Sequence, residues 1–171
     1  MNGAPPLQRI SVGVVVERRK ATSPWIDFVW QPVAVLSGIP AAEPWTALGS
    51  EGETARFYAG AAEVELHRSE TGNYLNNLQS GAPAIWVMLE ATGGDPPYRL
   101  AAVTADPAEG EGMTEPGQGI IEAVPMPEPL REALAAFVAE HHVEQAFTKR
   151  KRDRADPEAL ARRGPLARKP R

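Results

Sequence analysis

The chain has 171 residues, 43% hydrophobic and 23% charged, enough for one domain with a sizeable core and too few for two comfortable ones. It contains no cysteine, which excludes disulfides, a thiol nucleophile, cysteine zinc sites and iron–sulfur ligation by this chain. The net charge of −4 conceals a division: through Phe147 eight Lys/Arg face 19 Asp/Glu, a balance of −11, whereas from Thr148 on ten face three, a balance of +7. An acidic body repels nucleic acid, anionic membranes and acidic substrates, so the basic tail is the electrostatic handle.

The 15 glycines and 17 prolines favour many short elements joined by turns. Ile10–Arg18, ISVGVVVER, is β-branched and not strictly alternating, which predicts a strand buried on both faces. Ser23-Pro24 sets a turn, and Phe28–Leu36 predicts a second strand in which Pro32 requires an edge position or a bulge. Trp45 and Leu48 fall in a Gly- and Glu-rich loop. Arg56–Ala59 and Val64–Arg68 read as a hairpin through Gly60-Ala61-Ala62, with Val64 and Leu66 on one face and Glu63, Glu65 and His67 on the other. Glu70–Leu78 suits a short helix, Ala84–Ala91 is the clearest strand, and Tyr98–Thr104 is its antiparallel return after a Gly/Pro turn cluster. A weak helical turn opens at Asp106-Pro107, and Ile120–Val124 is a last short strand.

From Met126 to Arg154 an apolar helical pattern runs into KRKRDR. Started at Pro127, a helix puts Leu130, Leu134, Phe137, Val138 and His141 on one stripe. The expected fold is therefore α+β: an antiparallel or mixed sheet of about five to seven short strands, one long C-terminal helix packed on a face, and a basic mobile tail. The expected organisation is a flexible lead-in over 1–9, one domain over 10–148 and the tail over 149–171. With no charged leader before an apolar run, and no run near the roughly 20 residues of a membrane span, a cytoplasmic location without membrane contact is expected.

Catalytic signals are sparse. Gly117-Gln118-Gly119 precedes a strand, not a helix, so a phosphate there would meet no helix dipole. Only His67, His141 and His142 can serve as an imidazole base, and no serine sits in a GxSxG turn. His141 and His142, as adjacent helical residues, point about 100° apart and do not converge on one ion, which favours a core histidine at 141 over a metal ligand. Glu65 and His67 share a strand face and are the acid–base candidates, set against a plain solvated face. Trp25 and Trp45, in Pro-bounded loops, are either lids on the domain or partner anchors. The run Lys149, Arg150, Lys151, Arg152 and Arg154 suits docking on an acidic partner protein. Its other readings are sequence-blind phosphate binding, against which the acidic body argues, and a solvated end that favours the helix C-terminus.

SVGVVVERR at 11–19, SPW…W.PVAVLSG from Ser23 to Gly38, VELHRSET from Val64 to Thr71, and VPMPEPLREALAAFVAEHHVEQAFTKRKRDR from Val124 carry a resemblance. They resemble an uncharacterised bacterial domain family whose genes typically lie beside those of molybdenum-dependent formate dehydrogenases. The resemblance supplies no catalytic residues. It implies a non-catalytic accessory protein for maturation, assembly or regulation of such an enzyme, with formate dehydrogenase or a maturation factor as partner and no cofactor of its own. The redox work needs metals and sulfur ligands that this chain lacks. The alternatives are a small enzyme or cofactor-binding protein using the Glu65/His67 face, and nucleic-acid binding by the tail.

Overall fold

A computed structural model describes residues 3–113 and 119–143. Among the described residues, seven strands and three α-helices follow one another along the chain. They are β1 (Gln8–Lys20), β2 (Phe28–Leu36), β3 (Thr46–Glu51), β4 (Thr54–Leu66), α1 (Thr71–Gln79), β5 (Ala84–Ala91), β6 (Tyr98–Thr104), α2 (Pro107–Gly112), β7 (Gly119–Pro125) and α3 (Glu128–His141). The strands form two antiparallel sheets, of order β2-β1-β4-β3 and β6-β5-β7. β4 lies against β6 and β2 against β7, so the two sheets curl around one core like an incompletely laced barrel. That core holds Val12, Val14 and Val16 of β1, Val64 and Leu66 of β4, and Ile85, Val87 and Leu89 of β5. Each such side chain contributes about 1.5–3 kcal/mol by leaving water.

β1 and β4, of 13 residues each, are the longest strands among the described residues. The hairpin expected through Gly60-Ala61-Ala62 is not formed; one strand crosses the whole interval. Gly60 takes a left-handed φ of 133°, and the pairing with β1 passes from Val14↔Gly60 to Val15↔Tyr58, leaving Ala59 as the extra residue of a bulge. A bulge and a turn draw on the same residue types, which is why the sequence misleads here. At the same height β2 carries its own bulge at Val33, between Ala34 and Pro32. Pro32 thus lies in an edge strand beside a bulge, the setting its missing N–H requires. Gly13 is fixed by packing: a Cβ there would stand 3.0 Å from the Tyr58 ring and 3.1 Å from the Gly38 carbonyl, because the Gly38–Pro40 turn presses onto the outer face of the sheet.

β3 was expected to be loop. It pairs with β4 from Thr46↔Tyr58 to Glu51↔Thr54, and all six of its residues are exposed, so no hydrophobic period marks it. The long C-terminal helix also needs correction. α3 has 14 residues, begins after Pro127, and stops at His142, whose ψ of 125° is extended. Leu130, Leu134, Phe137 and Val138 are buried as the stripe requires, and Phe137 meets Tyr74 of α1 edge-on at 6.1 Å. Among the described residues no helix is long and apolar enough to cross a membrane.

Polar clamps hold the helices to the barrel end where β1 starts. The buried Asn77 amide donates to the carbonyls of Ala84 and Ala105 at 2.8 and 2.9 Å and accepts from the Ala84 N–H at 3.0 Å. Asp106 caps α2 through the N–H groups of Ala108 and Glu109, and its other oxygen accepts from Asn73 at 3.2 Å. The Tyr74 hydroxyl accepts from the His67 N–H at 3.0 Å, and burial pushes this phenol up to about 12.

Candidate functional site at the free end of the larger sheet

The residues singled out from sequence fall in three separate places. Glu65 and His67 do come together, with His67 Nε2 3.7 Å from the Glu65 carboxylate. Arg9 takes that same carboxylate at 3.5 Å and Glu63 at 3.6 Å, which makes a surface ion-pair row. Beside it runs an open cleft of about 390 Å³, lined by Ala61, Leu100, Thr104 and Glu109 among others. Thr104 Oγ1 donates to the Glu109 carboxylate at 2.7 Å and accepts from the Asp106 N–H at 3.1 Å, which ties the cleft wall to the start of α2.

His141 packs its ring on Phe137, centroids 4.5 Å apart, with Nε2 3.7 Å from Glu140. Its Nδ1 is buried without a hydrogen-bond partner among the described residues. His142 turns away to Thr71 Oγ1 at 3.0 Å. The two imidazoles do not converge, and among the described residues no group of three or more His, Asp or Glu could hold a metal ion. Lys149, Arg150, Lys151, Arg152 and Arg154 lie outside the described residues.

The tryptophans separate cleanly. Trp45 is half-buried, its indole edge-on to Trp30 at 5.9 Å and 6.4 Å from Phe57. Its backbone is left-handed, with a φ of 67°, a conformation costly for so bulky a residue, and its N–H donates to the Tyr58 carbonyl. The strained turn thus folds the indole under the sheet as support. Trp25 sits on the β1–β2 turn, which is closed by the Ala21 N–H donating to the Asp27 carbonyl at 3.0 Å, and is 91% exposed. Ile26, Phe28 and Val29 beside it are also exposed. Isolated surface apolar residues are ordinary; four within five positions at one tip form a patch.

Arg18, the charged last residue of the strand expected over Ile10–Arg18, organises this end. β1 alternates without interruption, so Arg18 follows Val14 and Val16 onto the inner row, opposite Trp30 and Ala55. Its guanidinium lies 4.4 Å from the Phe28 ring centroid, 5.2 Å from Phe57 and 5.6 Å from Trp30. Glu17, Arg19 and Arg56 occupy the opposite face, where both arginines pair with Glu17, and Lys20 pairs with Glu53. Arg18 finds no carboxylate within ion-pair distance among the described residues; its charge rests on aromatic faces alone. The signal in the sequence was the period-two row Val14, Val16, Arg18, continued by Phe28 and Trp30 across the turn.

Fold and site together define a class: a two-sheet α+β protein closed by helices at one end and ending in an exposed aromatic tip at the other. The chain belongs to a family described as protein of unknown function (DUF3305), whose profile matches residues 11–151. Neither the curated proteins nor the solved structures provide a match to it.

Proposed function

We propose that this protein is a non-catalytic accessory factor that docks onto another protein through the tip formed by Trp25, Ile26 and Phe28. The observation that carries this reading is the 91% exposure of Trp25 at the apex of a turn closed by its own hydrogen bond. A large apolar side chain in a fixed position loses little entropy on docking, which is why tryptophans anchor interfaces. The resemblance noted in the sequence supports a molybdenum-dependent formate dehydrogenase, or a factor that matures it, as the partner, and a cytoplasmic setting follows from that association. The basic run at 149–154 serves in this reading as a second contact on an acidic surface.

The test is affinity capture from native cells with the full chain, its Trp25→Ala/Phe28→Ser variant, and a chain ending at Phe147. Loss of formate dehydrogenase or a maturation factor with the double variant is the expected result. Equal recovery by all three forms would overturn the docking role. Unchanged formate dehydrogenase activity after deletion of the gene would remove that enzyme as the partner.

A further inference from the structure

We infer that the tip takes a segment in which a carboxylate stands next to a large apolar side chain, the carboxylate pairing with Arg18 and the apolar group packing on Trp25 and Phe28. The inference rests on the docking reading above and adds the chemistry of what docks. Two observations and one rule of guanidinium chemistry carry it. Arg18 is half-buried, lies over three rings and lacks an acidic partner among the described residues, whereas its basic neighbours Arg19 and Lys20 already have theirs. A guanidinium stacked on ring faces keeps its N–H groups at its edge, in the plane where a carboxylate binds with two hydrogen bonds. An open cleft of about 310 Å³ runs beside it, lined by Arg18, Phe28, Lys20 and Glu53 among others.

Charge selects the partner class. An anionic bilayer recruits many cations at once, whereas among the described residues of this tip Arg19, Lys20 and Arg56 are already paired with carboxylates and Arg18 alone is not. One stacked guanidinium beside an apolar anchor matches one carboxylate beside an apolar side chain, as an acidic peptide segment presents them.

The experiment uses full-length protein with isotope-labelled tryptophan and follows the indole N–H signals of its four tryptophans by NMR. The probes are a short peptide alternating aspartate with leucine and phenylalanine, the same peptide with asparagine for aspartate, and vesicles of anionic phospholipid. The expected result is that the aspartate peptide shifts the Trp25 and Trp30 signals and binds about tenfold or more tightly than the asparagine peptide, the gain of one charge-assisted pair. Arg18→Gln should erase that ratio while the melting temperature is kept, and Trp25→Ala should weaken both peptides. Equal affinity for the two peptides, an unchanged ratio in Arg18→Gln, or vesicle binding without peptide binding would each overturn the inference. If Trp25→Ala/Phe28→Ser loses the cellular partner and Arg18→Gln keeps it, docking at the tip stands and this carboxylate assignment falls. If both variants keep the partner, the docking reading falls with it.

Discussion

The two ends of the barrel handle their side chains in opposite ways. At the helical end the buried polar side chains Asn77, Asp106 and Thr104 all have hydrogen-bond partners, His141 Nδ1 being the buried exception among the described residues, and the stripe of α3 is buried against the core. At the sheet end apolar residues stand in water, a tryptophan holds a left-handed backbone, and an arginine leans on rings in place of an acid. Buried, satisfied groups specify a structure, while exposed apolar groups and an uncommitted charge retain interaction energy that folding has not used. The contrast puts the polar network that holds the fold at one end, and the docking proposed for the tip draws on the other.

Substitutions divide along that line, beginning with the largest effect on folding. Asn77→Ala orphans the Ala84 N–H and the carbonyls of Ala84 and Ala105, and should cost about 3–5 kcal/mol in chemical denaturation. Gly110→Ala brings a Cβ to 2.3 Å from the Trp86 ring, which must shift to admit it; a loss of about 1–3 kcal/mol is expected. Tyr74→Phe should cost about 1–2 kcal/mol through its lost hydroxyl, and it carries a pH signature. The folded phenol titrates near 12 and the unfolded one near 10. The unfolded chain therefore releases its proton first, and wild-type stability falls between pH 10 and 12. Urea titrations across that range should show a step of about 1–3 kcal/mol in the wild type that is absent from Tyr74→Phe.

At the other end Arg18→Gln should change stability by less than about 1 kcal/mol, as befits a half-exposed cation–π contact. Trp25→Ala should alter it by no more than about 0.5 kcal/mol in the same denaturation while removing partner capture. A large stability loss from Trp25→Ala would break the division.

Local chemistry explains which parts were legible. Phe28–Leu36 and Ala84–Ala91 are bounded by strong turn residues and match the observed strands end for end. Leu130, Leu134, Phe137 and Val138 are buried because their spacing allows one outcome once the helix forms. β3 was illegible because an edge strand exposed on both faces is held by ladder hydrogen bonds, which leave no mark on polarity. Trp25 and Trp45 share a Pro-bounded setting and differ only through tertiary neighbours: Trp30 and Phe57 exist as a shelf for Trp45 only when β1, β2 and β4 are paired. Arg18 read as the charged end of a strand because a cation–π shelf is assembled from residues 10 and 39 positions away, Phe28 and Phe57.

The paired bulges bear on how this sequence tolerates length changes. Each adds one residue to a strand flanking β1, Val33 in β2 and Ala59 in β4, while β1 itself runs through unbroken. β1 is thus the ruler that carries the inside–outside alternation from the barrel valines to Arg18, and its neighbours have already absorbed their spare residue. One residue inserted into β1 between Val16 and Glu17 would turn the arginine to the outer face and deliver Glu17 to the aromatic shelf, reversing the sign of charge there.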